Sequence, residues 1–134
     1  MSSVQLDQDI VIDAAKRTPM GGFQGALSTV ASPKLAATAI KGLMQQSGLA
    51  GEQVDEVLMG CVLPAGLGQA PARQATLGAE LPLSVGATTV NKVCGSGMKT
   101  VVVAHDLIKA GSANVVVAGG MESMSQAPYL LDKA

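Results

Sequence analysis

At 134 residues with a net charge of −1 and no basic cluster, the chain suits one domain and offers nucleic acid no binding surface. Apolar residues make up 48%, yet Phe23 and Tyr129 are the only aromatic side chains, so the core must be aliphatic. One histidine and two cysteines, Cys61 and Cys94, form neither a zinc site nor a redox motif, and no apolar run approaches the ~20 residues that cross a bilayer.

The first element is Ile10-Val11-Ile12-Asp13-Ala14-Ala15, which reads as a buried strand. A loop follows, broken by Pro19, Gly21 and Gly22. Ser32-Pro33 then opens a helix, with Ser32 as N-cap and Pro33 at the first helical position. Leu35, Ala36, Ala39, Ile40, Leu43 and Met44 recur at helical spacing, and Gly48 stops the run. Residues 54–62 are the second strand, with Asp55 and Glu56 at its entrance. Pro71 opens a second helix that runs to Glu80 and carries Arg73.

Pro82 and Gly86 reset the chain before a third strand, 87–90. A third helix, 98–110, stops at Gly111, and a fourth strand, 115–118, runs into Gly119-Gly120-Met121-Glu122-Ser123-Met124-Ser125. The order βαβαβαβ predicts an α/β fold, a parallel sheet with helices on both faces. Ligands in such sheets gather at the carboxyl ends of the strands, so Cys94 and the Gly119-Gly120 loop are expected to share one pocket. In the third helix Met98, Val101, Val102, Val103, Ala104, Leu107 and Ile108 cover most of the circumference, a pattern of burial on all sides. A four-stranded sheet covers one side only.

The stretch with chemical content is Val90-Asn91-Lys92-Val93-Cys94-Gly95-Ser96-Gly97-Met98-Lys99-Thr100. A strand that ends at a helix N-terminus aims its last side chain at the unpaired N–H groups of the first turn, where negative charge is favoured. A thiol so placed ionises more readily, and the thiolate is the nucleophile. Gly95 and Gly97 leave backbone uncovered for a substrate carbonyl, and the Cys94 N–H is a candidate oxyanion donor. The competing reading is a structural cysteine buried in a tight turn. Phosphate loops are excluded: Thr100 stands where a dinucleotide fingerprint needs glycine, and Val93 and Met98 stand where a Walker A loop needs it.

The other candidates have plainer explanations. His105, the lone histidine, lies 11 residues beyond Cys94. At 1.5 Å per residue that is roughly 16 Å along the helix, far outside the reach of a general base. Cys61 ends a strand and reads as a small buried side chain. Glu122, after two glycines, either acts in chemistry or accepts backbone N–H groups, the second being the expected role. Arg17, Arg73, Met121 and Met124 read as structural. The inventory is a nucleophile without its base. Free thiols and a polar, acidic N-terminus predict a cytoplasmic protein without a targeting segment.

Asn91-Lys92-Val93-Cys94-Gly95-Ser96-Gly97-Met98-Lys99 resembles the nucleophile signature of the thiolase family, in its acetyl-CoA acetyltransferase branch. Gly119-Gly120-Met121-Glu122-Ser123-Met124-Ser125-Gln126-Ala127-Pro128-Tyr129 resembles the family's second N-terminal signature, and Arg17-Thr18-Pro19 and Gln69-Ala70-Pro71-Ala72-Arg73-Gln74 also match. The resemblance implies that Cys94 takes an acyl group from a coenzyme A thioester, with its own N–H on the oxyanion. Acetyl-CoA or a 3-ketoacyl-CoA is then the substrate, for condensation or reverse thiolysis, with no permanently bound cofactor and no metal.

The resemblance further implies a layered α–β–α–β–α fold with the nucleophile's helix in the middle, and a homo-oligomer formed through the edge of the third strand. Family members are much longer. Their histidine, second cysteine, oxyanion glycine, coenzyme A loops and fifth strand have no counterpart here. Residues 1–134 therefore read as an N-terminal segment of a thiolase N-terminal domain, inactive without the missing C-terminal half and marginally stable alone. Two rival readings are a non-catalytic assembly module, using the open sheet edge and the uncovered helix, and a redox-sensing thiol domain.

Overall fold

A computed structural model describes residues 9–133. Three strands, β1 (Glu56–Gly60), β2 (Gly86–Val90) and β3 (Val116–Gly120), form a parallel sheet in the order β2-β1-β3. Three helices accompany them: α1 (Ser32–Ser47), α2 (Pro71–Gly78) and α3 (Ser96–Lys109). In register, Gly60 at the end of β1 lies between Val90 and Gly120.

Alternation along the central strand sorts the layers. Val57 and Met59 face α1 and α2, packing with Ala36, Ile40, Ala72, Ala75 and Val117 in one aliphatic core. Val57 is wholly buried, which contributes about 1.5–3 kcal/mol. Gly60 faces the other way, onto the start of α3. Helices thus cover both faces of the sheet, as expected. On α3 the small side chains Ser96, Thr100 and Ala104 are buried against the sheet, while Met98, Val101 and Val102 are exposed. The helix is therefore covered on one side only among the described residues.

Two expectations need correction. Residues 10–15 are not a strand: Val11 and Ile12 are exposed, and among the described residues the segment has no backbone hydrogen bond to a neighbouring strand. An apolar run becomes a strand only when another strand takes up its N–H and C=O groups. Among the described residues the order is therefore αβαβαβ with three strands. Nor is Ser32 the cap of α1. Lys34 and Leu35 both donate to the Ala31 carbonyl, so the helix begins one residue earlier and Ser32 is buried inside its first turn. The far end behaves as expected: Gly48 adopts the left-handed conformation (φ 70°) and its N–H returns to the Met44 carbonyl.

At the opposite end of the sheet from Cys94, Asp55 fastens the entry to β3. Its Oδ2 accepts the N–H groups of Asn114 (2.6 Å) and Val115 (3.1 Å). These bonds hold its carboxyl below the usual carboxylate range. A group depressed by folding contributes stability above its unfolded pKa and loses it as the pH falls through the folded value. Asp55→Asn is therefore expected to lower the melting temperature at neutral pH. That difference should shrink on acidification below about pH 4, as thermal scans of the two proteins across pH will register.

Candidate active site

The carboxyl ends of all three strands meet at one end of the sheet, and α3 starts there. Its first turn sits almost on bare backbone. A Cβ at Gly60 would lie 2.6 Å from the Ser96 carbonyl carbon and 2.7 Å from the Gly97 nitrogen. A Cβ at Gly120 would lie 3.3 Å from the Gly97 Cα. Glycine at 60 and 120 is thus what lets the helix approach β1 and β3 this closely. The buried Thr100 hydroxyl, 2.7 Å from the Gly97 carbonyl and 3.0 Å from the Gly119 carbonyl, ties the same helix turn to β3.

Between β2 and α3 the chain makes a turn with Cys94 in it. Val93 is in the left-handed region (φ 48°) and is itself 64% exposed. A β-branched residue there costs about 1–3 kcal/mol, and no packing holds it. Hydrogen bonds do. The Val93 N–H donates to Asn91 Oδ1 (3.0 Å), and the Ser96 N–H donates to the Val93 carbonyl (3.0 Å). The Ser96 hydroxyl accepts the Lys92 N–H (2.8 Å) and donates to the Val93 carbonyl (2.6 Å). Ser96 is almost fully buried and acts as a peg inside the turn.

The turn presents Cys94 to solvent as a free thiol. Among the described residues Cys94 is thus not a buried cysteine. The amides of Gly95 and Ser96 are already engaged by the carbonyls of Lys92 and Val93. Of these three consecutive amides, the Cys94 N–H is the one left as a candidate for a ligand's oxygen.

Cys61 is the opposite case. It is buried, and burial first, then the charge of Glu122, pushes its thiol up from the ordinary value. Iodoacetamide is expected to label Cys94 in the folded protein and to reach Cys61 only after urea is added, measured site by site by peptide mass spectrometry. Glu122 has the backbone role expected of it: Oε2 accepts the Val62 N–H (2.8 Å) and Oε1 the Leu63 N–H (3.1 Å).

Arg73 is structural, donating to the Val85 (2.6 Å) and Leu83 (2.8 Å) carbonyls and so bracing the loop before β2. Met121 is packed, whereas Met124 is exposed. His105 sits far along α3, exposed, with Nδ1 3.2 Å from Asp106 Oδ1. Among the described residues no three His, Cys, Asp or Glu side chains gather as a metal site.

The expectation of one pocket shared by Cys94 and the Gly119-Gly120 loop is not met. A cleft of about 180 Å³ does border that loop, between α1 and β3, with Lys16, Arg17, Ile40, Met59, Gly120 and Glu122 among its walls, but Cys94 does not line it. The cleft opens between β3 and α1, whereas the Cys94 turn leads into α3 on the other face. The sequence shows Asn91 and Ser96 beside Cys94 but not their bonding roles, and it gives no sign of Gly60. An asparagine two residues before the left-handed position was the one available signal, since asparagine side chains commonly take up the amide two residues on.

Residues 10–134 match the family described as the thiolase N-terminal domain. The mitochondrial acetyl-CoA acetyltransferase of Danio rerio is 56% identical over 123 residues, 92% of this chain and 29% of the relative. The acetyl-CoA acetyltransferase of Pseudomonas aeruginosa is 53% identical over 127 residues, 95% of this chain and 32% of the relative. The mitochondrial enzyme of Rattus norvegicus is 50% identical over 125 residues, 93% of this chain and 30% of the relative. The chain thus spans about a third or less of the length of these relatives. With the family matched across nearly all of its residues, and an α/β fold of parallel strands with helices on both faces, this chain belongs to the thiolase family through its N-terminal domain.

Proposed function

We propose that Cys94 is the acyl-accepting nucleophile of an acetyl-CoA acetyltransferase. The observation that carries the reading is the free, exposed thiol on a strained turn pegged by the buried Ser96 hydroxyl. In the proposed step the Cys94 thiolate attacks the carbonyl carbon of acetyl-CoA or a 3-ketoacyl-CoA. The tetrahedral oxyanion is held by the Cys94 N–H, and coenzyme A or the acetyl-CoA enolate leaves with the electrons of the broken bond. A proton acceptor and a second oxyanion donor complete such a site, and His105 is too distant to be the first. We place both in the part of the family outside these 134 residues, which correspond to an N-terminal segment of the thiolase N-terminal domain. The chain alone is accordingly expected to accept an acyl group slowly and not to turn over.

No resident cofactor is invoked, since the thioester is the substrate. No helix of the described residues is long and apolar enough to cross a membrane, and the two free thiols suit a reducing compartment such as the cytoplasm. The relatives include mitochondrial and bacterial enzymes. β2 is an edge of the sheet, and pairing of two such edges is the homo-oligomer this reading includes.

The test is incubation of the full chain with acetyl-CoA followed by site-resolved mass spectrometry. Acetylation at Cys94, and not at Cys61, is expected. Equal modification of both thiols, or of lysines alone, overturns the proposal. A second reading, a non-catalytic assembly module, is favoured by one observation: exposed Met98, Val101 and Val102 on the same helix as the open end of the site. A monodisperse dimer inert to acetyl-CoA, found by sedimentation, selects that reading instead.

A further inference from the structure

We infer that Glu122 is a positioning residue for Cys94, acting across the carboxyl ends of all three strands; the inference rests on Cys94 being the acyl acceptor. The two side chains belong to different loops, and the connection between them is a continuous series of hydrogen bonds. The Glu122 carboxylate, just after β3, accepts the N–H groups of Val62 and Leu63, just after β1. The Val62 carbonyl accepts from Asn91 Nδ2 (3.2 Å), just after β2. Asn91 Oδ1 accepts the Val93 N–H, and Val93 is the left-handed residue next to Cys94.

Each part has a chemical reason. Where β1 leaves the sheet, the successive amides of Val62 and Leu63 find no strand to pair with, and both point at one place. A carboxylate, with two acceptor oxygens and no donor, satisfies both. An amide in its position satisfies one and sets an N–H against the other. The Cys61 sulfur, 3.8 Å from Oε1, adds a third and weaker donor. Lys16 and Arg17 border the same cleft as Glu122, but the carboxylate bonds to the main chain. Asn91 is oriented without ambiguity, because it meets a carbonyl at one end and an N–H at the other. It is therefore a rigid link: the loop after β1 fixes where the asparagine stands, and the asparagine holds Val93 in the conformation that presents the sulfur. Nothing else bonds to the Val93 N–H among the described residues.

The experiment measures amide hydrogen exchange and iodoacetamide labelling in the full chain for the parent, Glu122→Gln, Asn91→Asp and the double variant. Glu122→Gln is expected to speed exchange at Val93 about tenfold, the loss of one hydrogen bond's worth of protection. The Val93 amide resonance should move, Cys94 labelling should slow severalfold, and Leu58 in the sheet centre should stay protected. Asn91→Asp keeps the acceptor for Val93 but removes the donor to Val62, which severs the link. In that background Glu122→Gln should add nothing at Val93.

Loosening of Val62 and Leu63 with Val93 and Cys94 unchanged overturns the inference, as do additive effects in the double variant. Should Glu122→Gln fail to fold, Asn91→Asp decides alone: unchanged Val93 exchange and Cys94 labelling overturn it. These readings need no acyl transfer. A parent chain that takes no acetyl group yet retains the coupling defeats the acyltransferase proposal while supporting the positional link.

Discussion

Gly60→Ala is expected to destabilise the protein by about 1–3 kcal/mol, the range for forcing an extra methyl into a packed site. The position is the middle of the central strand's last contact, where the new Cβ meets the Ser96 carbonyl carbon at 2.6 Å and the Gly97 nitrogen at 2.7 Å. Both are backbone atoms, so no flexible side chain can swing away. The first turn of α3 has to lift off β1, and the Gly97–Gly120 approach and the Thr100 bonds to Gly97 and Gly119 lift with it. Ser96 moves too, and with it the peg of the Cys94 turn. Urea titration should report the lost stability, and the rate of Cys94 alkylation should change in the same variant. Gly42→Ala is the control. Its nearest neighbour to a new Cβ is Lys16 Cγ at 3.8 Å, and in mid-helix alanine is favoured by roughly 0.5–1 kcal/mol. The two substitutions add the same methyl and are expected to have opposite signs. Equal effects would mean that the contact with α3 does not govern position 60.

The elements legible in the sequence are those whose signals are local. Pro71 opens α2, Gly48 closes α1 and the buried run 57–59 marks the central strand, each within a residue or two of expectation. The rise of a helix was enough to separate His105 from Cys94. What was illegible depends on partners. Residues 10–15 carry the apolar signal of a strand, but the signal says only that the segment favours burial, not that a neighbouring strand is there. On α3 the apolar pattern could not tell which face meets the sheet. The answer turned on size, because Ser96, Thr100 and Ala104 permit a close approach that Met98 and the valines would block. The same applies to the site. A cysteine between a strand and a Gly-Ser-Gly turn is visible in one stretch of sequence. That Asn91 and Ser96 hold a left-handed valine beside it requires the turn to be built.

Cys94→Ala is expected to abolish acetylation by acetyl-CoA while leaving stability within about 0.5 kcal/mol of the parent, the usual range for a surface substitution. The two halves of this expectation have separate causes. The side chain is exposed and belongs to no part of the core, so its removal opens no cavity. The backbone conformation of the turn depends on Asn91 Oδ1 and the Ser96 hydroxyl, and neither bonds to the sulfur. The chemistry, by contrast, has no substitute nucleophile: Cys61 is buried, and its thiol is pushed up by burial and by Glu122. Cys94→Ser sharpens the comparison. It retains shape and a hydroxyl, but a serine without an adjacent general base is a poor nucleophile, so it should resemble alanine rather than the parent. Ser96→Ala is the reverse test. It keeps the thiol and removes the buried peg, leaving the Lys92 N–H without its acceptor, which costs about 1–3 kcal/mol. Acetylation should then be slowed in parallel with lost stability, whereas Cys94→Ala separates the two. Retained acetylation in Cys94→Ala, at any residue of the Cys94 turn or at Cys61, would show that Cys94 is not the nucleophile.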